Sequence, residues 1–218
     1  FKDRSEFNAN ASYLARLGSG SACRSIYGGA ALWGTLAALK GSSDDFAVPV
    51  SESLHSVFQD YHDDILLISK SEKLVSSRAG HSLMDGNPYA TARYAQATRR
   101  TDEMLTVLRQ GKVERFGEIL ESEALTLHAL MMSSYPPYIL IRPNTLTVIE
   151  RIHQYRGDTG LPLYFTLDAG PNLHLLYPSS IATEVKKFIR EQLLYFCEDN
   201  MYLADRVGKG PERLDVSE

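Results

Sequence analysis

The chain has 218 residues, enough for one large domain or for one domain and part of another. Hydrophobic residues make up 44% of it, an ordinary share for a globular protein, and no apolar run reaches the ~20 residues of a membrane span. The net charge of −4 gives no electrostatic support for a nucleic-acid partner. The two cysteines match no metal or redox spacing, so we expect a reducing, cytoplasmic location and assign no metal ligand.

The first organised stretch is a helix around residues 8–14, followed by a glycine- and serine-rich loop. This loop reads LGSGSACRS over residues 17–25. Gly18 and Gly20 tolerate positive φ and close approach, so several backbone N–H groups can be directed at one anion. We expect a second helix over 22–30, whose positive end adds to the same spot. The alternative interpretation is ordinary helix capping by serine.

Short extended segments are predicted next. One begins at Ala31, and residues 46–50 are typical of an edge strand because Pro49 cannot donate a hydrogen bond to a ladder. Residues 65–68 are a continuous apolar run bounded by charges, which favours a buried central strand.

Three helices are predicted in the middle of the chain. The first covers 89–109, the second has apolar residues at helical spacing over 113–131, and Asn144 caps the third. His128 lies beside the apolar stripe of the second helix. It is either a substrate contact or a buried histidine of the core.

A strand–turn–strand unit follows, with strands over 163–167 and 173–177 and turn residues DAGPN over 168–172. Ser180 is expected to cap a last long helix, and 203–207 to form a last strand. Strands interleaved with helix pairs indicate an α+β protein, with helices layered on a mainly antiparallel sheet.

Two of these stretches together resemble a known family. LGSGSACRSIYGG at 17–29 and FTLDAGPN at 165–172 are similar to the diphosphomevalonate decarboxylases of the GHMP kinase superfamily. Val75-Ser76-Ser77 with Gly80 resembles that family's serine-containing phosphate-contacting turn, and the three matches follow the family's order. The resemblance implies a GHMP-kinase-like fold. A ferredoxin-like C-terminal domain is expected over 51–218, after a remnant of the N-terminal domain over 1–50 that carries the phosphate-binding loop.

The activity that the resemblance implies uses ATP and Mg²⁺. The family phosphorylates the tertiary alcohol of mevalonate 5-diphosphate, and the new phosphate leaves as carbon dioxide is lost. The product is isopentenyl diphosphate, an intermediate of isoprenoid biosynthesis. The implied partner is this small-molecule substrate, with no nucleic acid and no membrane, and the implied assembly is a cytoplasmic homodimer.

Such a reaction requires a base near the hydroxyl, a cradle for phosphate and a cation for the carboxylate. By resemblance Asp168 is the base, although an Asx-turn residue is the alternative interpretation. Arg24 holds the substrate carboxylate, with a positional effect on the reaction, and Ser77 contacts substrate phosphate. The implied ATP- and phosphate-binding residues are Gly18, Ser19, Gly20, Ser21 and Ala22.

Several alternatives stay open. His81 after Gly80 departs from the family pattern on the expected substrate side, so the phosphorylation state of the substrate is undecided. A phosphomevalonate decarboxylase, a mevalonate 3-kinase without decarboxylation and a non-catalytic module are the other hypotheses. The loop motif lies mid-chain in the family but close to Phe1 here. We therefore expect an N-terminal portion with much of the adenine pocket to be missing, and the 218-residue chain to be inactive alone.

Overall fold

A computed structural model describes residues 3–71 and 84–212, which group into two compact units. The first unit comprises Phe1–Gln59, Arg109–Gly111 and Val207–Glu218. The second comprises Asp60–Leu108 and Lys112–Arg206. The division at residue 50 stays a prediction.

The first unit begins with helix α1, Arg4–Gly18, where the Asp3 carboxylate accepts the Glu6 N–H at 2.8 Å as a cap. Strands β1, Ala31–Trp33, and β2, Ala47–Pro49, form an antiparallel pair. The two-stranded sheet matches the short strands predicted from the sequence. The helix expected over 22–30 is wrong, because this region is a 3₁₀ helix that ends at Ile26.

A glycine pair explains why the helix stops there. A Cβ on Gly28 would lie 2.3 Å from the backbone oxygen of Lys209, so only glycine allows the two chain segments to touch. Gly29 has φ +65° and donates its N–H to the Gly208 oxygen at 2.8 Å. The backbone here bonds to a distant segment and cannot continue a helix.

The second unit contains a four-stranded antiparallel sheet of order β4-β5-β3-β6. Its strands are β3, Tyr61–Leu66; β4, Tyr164–Leu167; β5, Leu173–Pro178; and β6, Tyr202–Leu203. Side chains alternate along β5, so that Leu173, Leu175 and Tyr177 enter the core while His174 and Leu176 face the other way.

Four helices accompany this sheet: α2, Ala90–Gln110; α3, Val113–Met132; α4, Pro143–Thr159; and α5, Ala182–Phe188. The observed mixture of layered helices and antiparallel strands confirms the α+β prediction. None of the helices within 3–71 and 84–212 combines the length and apolar character that crossing a bilayer requires.

Two helix boundaries differ from the prediction. The cap of α4 is Arg142, since Pro143 occupies the first turn and the Thr145 hydroxyl accepts the Arg142 N–H at 3.1 Å. Ser180 does not cap a long helix. It lies in a 3₁₀ turn, and α5 has seven residues before a π turn over Ile189–Leu193.

The core of the second unit lies between the sheet and helices α4 and α5. Phe165, Leu175 and Tyr177 from the strands meet Ile152 from α4 and Val185 from α5, and all five are fully buried. Burying each large apolar side chain stabilises the fold by about 1.5–3 kcal/mol. This core fixes the positions of β4 and β5, and therefore of the turn between them.

Candidate active site

The glycine–serine stretch joins α1 to the 3₁₀ helix Gly20–Ile26. Ser19 breaks α1 with an extended backbone, φ −152° and ψ 128°, and the first 3₁₀ bond runs from the Ala22 N–H to the Ser19 oxygen at 3.0 Å. The N–H groups of Gly20 and Ser21 precede that bond, as expected for the first residues of any helix. The side chains of Ser19 and Ser21 are exposed. These donors suit an anion such as phosphate.

A buried hydroxyl fixes this stretch from below. Ser12, with no exposed surface, donates to the Cys23 oxygen at 2.8 Å and accepts the Ala47 N–H at 2.9 Å. It therefore joins α1, the 3₁₀ helix and β2. Ser12 was predicted only as part of a helix, without this role. The sequence feature that could have indicated it is a small polar residue on the buried face of α1.

Gly20 is present for a reason other than the predicted one. Neither Gly18 nor Gly20 has a positive φ. Gly18 ends α1 with open space around it, whereas a Cβ on Gly20 would lie 3.0 Å from the Trp33 ring. Trp33 is held by its Nε1–H, which donates to the Asp44 oxygen at 2.8 Å, and by the Arg16 guanidinium 5.3 Å from the ring centre. A Cβ at position 20 would therefore push the Trp33 ring by a few tenths of an ångström, which favours glycine there.

Arg24 lies in the last turn of the same 3₁₀ helix. Its side chain is exposed, and its backbone oxygen accepts the Tyr27 N–H at 3.1 Å. Within the part of the chain that the structure describes, no carboxylate forms an ion pair with the Arg24 guanidinium. An external carboxylate or phosphate can therefore bind this forked donor without displacing a partner.

Asp168 follows the last residue of β4 and begins the turn to β5. Its side chain is exposed, and its backbone oxygen accepts the Gly170 N–H at 2.8 Å. The strand–turn–strand unit predicted from the sequence is thus present, with Asp168 at the end of a buried strand. Gly170, next in the turn, is buried, and Ala169 packs against a small apolar cluster that includes Leu130 and Met131.

Three hydrogen bonds join this turn to separate elements. The His128 ring of α3 contacts the Asp168 oxygen, and the buried Thr145 hydroxyl of α4 donates to the Pro171 oxygen at 2.8 Å. The Asn172 side-chain oxygen accepts the Ser69 N–H at 3.0 Å, from the segment after β3. The turn is therefore fixed at both ends, by partners that lie far away in the sequence.

His128 is 2% exposed, and its Nε2 lies 3.0 Å from the Asp168 backbone oxygen. A carbonyl oxygen only accepts hydrogen bonds, so Nε2 must carry the hydrogen and donate it. Burial lowers the pKa of His128, and the opposing effect of Asp168 is smaller. The ring is consequently neutral at pH 7, with Nδ1 unprotonated. Of the two roles considered for it, the buried core histidine fits this position.

The other end of β4 is held by a charged cluster that the sequence analysis missed. The Glu121 carboxylate of α3 accepts from Arg156 at 2.7 and 3.1 Å and from the Phe165 N–H at 3.3 Å. Arg156 also donates to the Leu163 oxygen at 2.7 Å and lies 4.7 Å from the centre of the Tyr164 ring. The sequence feature that could have indicated this cluster is Glu121, an acidic residue on the buried side of an amphipathic helix. The cluster aligns the start of the strand that ends at Asp168.

A second histidine lies on the opposite sheet face from the core. His174 of β5 contacts the Asp63 carboxylate of β3 through Nδ1, at 2.9 Å. The hydrogen bond with Asp63 is the largest cause of a raised His174 pKa, and burial opposes it. Asp168 adds a smaller electrostatic contribution in the same direction.

The remaining predicted residue, Ser77, lies outside the described residues, as do Val75, Ser76 and Gly80. The structure brings Gly18, Ser19, Gly20, Ser21, Ala22 and Arg24 together in the first unit and places Asp168 in the second. The roles of all these residues stay predictions. Among the described residues, no group of three or more histidine, cysteine or acidic side chains is arranged to hold a metal ion.

Comparison with known sequences gives matches over most of the chain. Residues 3–47 match a family model described as the diphosphomevalonate decarboxylase-like N-terminal domain. A diphosphomevalonate decarboxylase of Danio rerio is 32% identical over 164 residues, which are 73% of this chain and 40% of that protein. One of Homo sapiens is 29% identical over 166 residues, which are 74% of this chain and 40% of that protein. The chain thus spans about 40% of the length of these curated relatives.

Solved structures agree with these matches. A mevalonate diphosphate decarboxylase from Staphylococcus aureus is 30% identical, with a TM-score of 0.77 over 93% of this chain and 59% of that one. A structure described as MDDEF in complex with MVAPP, AMPPCP and Magnesium is 28% identical, with a TM-score of 0.76 over the same shares, 93% and 59%. Finally, residues 64–213, more than half of the chain, match a model described as the mevalonate 5-diphosphate decarboxylase C-terminal domain. The chain therefore belongs to the mevalonate 5-diphosphate decarboxylase family.

Proposed function

We propose that the protein to which this chain belongs is an ATP-dependent decarboxylase that converts mevalonate 5-diphosphate to isopentenyl diphosphate. The observation that carries the proposal is the turn at Asp168, an exposed carboxylate at the end of a buried strand, held from three sides in a chain of this family. Relatives named diphosphomevalonate decarboxylase support the choice of substrate. A solved structure described as a complex with MVAPP, AMPPCP and Magnesium supports the same substrate, together with ATP and Mg²⁺.

The residues of the first unit fit a phosphate-bearing ligand. Ser19 and Ser21 offer exposed hydroxyls, the N–H groups of Gly20 and Ser21 precede the first 3₁₀ bond, and Ala22 continues the same helix. ATP with Mg²⁺, when bound, supplies the phosphoryl group to be transferred. The protein contributes donors that hold phosphate oxygens in place, which is the main requirement of phosphoryl transfer.

Asp168 accepts the proton of the tertiary hydroxyl as the hydroxyl oxygen bonds to the phosphorus of the transferred group, whose bond to the ADP oxygen breaks. Arg24 grips the substrate carboxylate. Since a guanidinium stabilises the carboxylate before reaction, it does not by itself favour the loss of carbon dioxide. Its contribution is alignment of the carboxylate with the departing phosphate. Ser77 contributes a phosphate contact by resemblance alone.

The test uses the full-length protein with ATP, Mg²⁺ and either mevalonate 5-diphosphate or mevalonate 5-phosphate. ADP and carbon dioxide are measured together. We expect equal amounts of both with the diphosphate. ADP without carbon dioxide would indicate a kinase, equal amounts with only the monophosphate a phosphomevalonate decarboxylase, and neither product a non-catalytic module.

Two substitutions test the assigned roles. Asp168→Asn keeps the shape and loses the charge, so turnover should fall by about 10²–10⁴-fold, the range of a general base, while substrate binding changes little. Arg24→Lys should not restore function, because a point charge does not reproduce a bidentate grip. Normal turnover in either variant would remove that residue from the mechanism.

We also propose a cytoplasmic location and a homodimer. The location is supported by Cys23 and Cys197, which are free and buried, as is usual in a reducing compartment. Self-association is supported by the exposed apolar side chains of α1, which include Phe7, Leu14 and Leu17. Cell fractionation and light scattering on the full-length protein test the two statements separately.

A further inference from the structure

Among the described residues, His128 holds the turn at Asp168 itself. Thr145 and Asn172 hold the far end of the turn, at Pro171 and at the segment after β3. The Asp168 backbone oxygen instead accepts two hydrogen bonds, from the Gly170 N–H at 2.8 Å and from His128 at 3.0 Å. The first bond stays within the turn. The second ties the turn to helix α3, from a residue 40 positions away.

Helix α3 is also attached to the beginning of β4. Gly117 lies so close to the Tyr164 ring that no Cβ fits between them, and Glu121 accepts the Phe165 N–H at 3.3 Å. His128, two turns further along the helix, reaches the other end of the strand. A single helix therefore fixes both ends of β4, and the last of its contacts acts on the peptide plane that follows Asp168.

We propose that His128 is a positioning residue for Asp168, whose Nε2–H restrains the Asp168 carbonyl and thereby fixes the direction of the carboxylate. The inference rests on the proposed function, in which that carboxylate accepts the substrate's proton. The backbone sets the direction of the Cα–Cβ bond from which the carboxylate extends, and small displacements of a reacting group cost large factors in rate.

Three variants of the full-length protein test the proposal by turnover with ATP, Mg²⁺ and mevalonate 5-diphosphate. His128→Leu removes the donor, and we expect kcat to fall by about 10–100-fold with KM for ATP within about twofold. His128→Gln keeps an N–H near the position of Nε2 and should restore most of the lost kcat. Thr126→Val is the matched control on the same helix, because the Thr126 hydroxyl donates to Ser122 of that helix at 2.7 Å.

The wild-type 218-residue chain gives a readout that does not depend on activity. Long-range proton–nitrogen correlation spectra should show His128 protonated at Nε2 and unprotonated at Nδ1 at pH 7. An Nδ1-protonated ring overturns the proposal. So does a His128→Leu variant with normal kcat, or a His128→Gln variant as slow as His128→Leu.

The proposed function and the positioning role of His128 are refuted by different results. If Asp168→Asn is inactive while His128→Leu has normal turnover, the proposed function stands and the positioning role is wrong. If Asp168→Asn has normal turnover, Asp168 is not the reacting carboxylate, and both the proposed function and the inference built on it are overturned.

Discussion

Gly117 of α3 is the closest contact between that helix and β4, and Gly117→Ala is the most direct test of the packing described above. An ideal Cβ at this position would lie 2.0 Å from Cδ1 of Tyr164, 2.1 Å from Cε1 and 2.2 Å from Cγ. Carbon atoms in contact are separated by about 3.5–4.0 Å. Either the helix or the ring must therefore move by about 1.5 Å or more.

The Tyr164 ring has little freedom to move. It is 5% exposed, and the Arg156 guanidinium lies 4.7 Å from its centre. Overpacking of this kind costs about 1–3 kcal/mol, occasionally more. Replacing a glycine inside a helix by alanine also stabilises the helix by about 0.8–1.0 kcal/mol, because alanine has the higher helix propensity. Because the contact is so short, we take the upper part of the first range and expect a net loss of about 2 kcal/mol.

Thermal unfolding of the 218-residue chain measures this loss. At about 2–4 °C per kcal/mol for a chain of this size, Gly117→Ala should lower Tm by about 4–8 °C. Gly157→Ala is the matched control, since Gly157 lies in α4 and a Cβ there meets nothing within 4 Å. That variant should gain up to about 1 kcal/mol and raise Tm. A Gly117→Ala variant with an unchanged or raised Tm would refute the packing argument.

Three other predictions concern a buried ion pair, a histidine with a raised pKa and the exposed leucines of α1. Glu121→Ala breaks a largely buried pair with Arg156 and should cost about 3 kcal/mol in unfolding free energy, whereas Glu118→Ala, an exposed neighbour on α3, should leave Tm unchanged within error. The raised pKa of His174 stabilises the fold below the ordinary value of 6.5, and this contribution is lost as the pH rises through the folded-state pKa. The Tm difference between wild type and Asp63→Asn should therefore be largest near about pH 6 and shrink towards about pH 9; a difference that grows with pH would contradict the assignment. Replacing Leu14 and Leu17 of α1, which are 65% and 63% exposed, by glutamine should reduce concentration-dependent self-association in light scattering, while Arg4→Gln at the start of the helix should not.

Much of the fold could be predicted because the signals are local. Helical spacing identified α2, α3 and α4, and the turn residues DAGPN identified the β4–β5 hairpin. The beginning of β3 was missed because it is polar, with His62 and Asp64 on its core side. Tyr177 explains both residues: its hydroxyl donates to the Asp64 carboxylate, and its ring stacks on His62 with centres 4.9 Å apart. Both polar side chains therefore contact one residue of β5 that lies more than a hundred positions away in the sequence.

In the candidate site, too, some features could be predicted from neighbouring residues and others could not. The position of Asp168 at the end of a strand follows from residues next to it. The residues that hold the turn could not be predicted in this way, because they lie 26, 40 and 103 positions in sequence from the turn residues that they contact. The apolar period of α3 placed His128 beside the core, and nothing in that period indicates which backbone oxygen its ring contacts. Contacts of this kind depend on how α3 and β4 pack, which Gly117 and Tyr164 determine.

The loop motif shows how one short sequence serves both fold and function. The Trp33 ring favours glycine at position 20, and Cys23 is fully buried, with its Sγ–H donating to the Gly20 oxygen at 3.1 Å. Packing alone accounts for these two residues, so their presence says little about a ligand. Ser19, Ser21 and Arg24 are exposed, and no described packing contact requires their side chains. We therefore propose that the side-chain contacts of the motif with a ligand come from two hydroxyls and one guanidinium, beside the backbone N–H groups of Gly20 and Ser21.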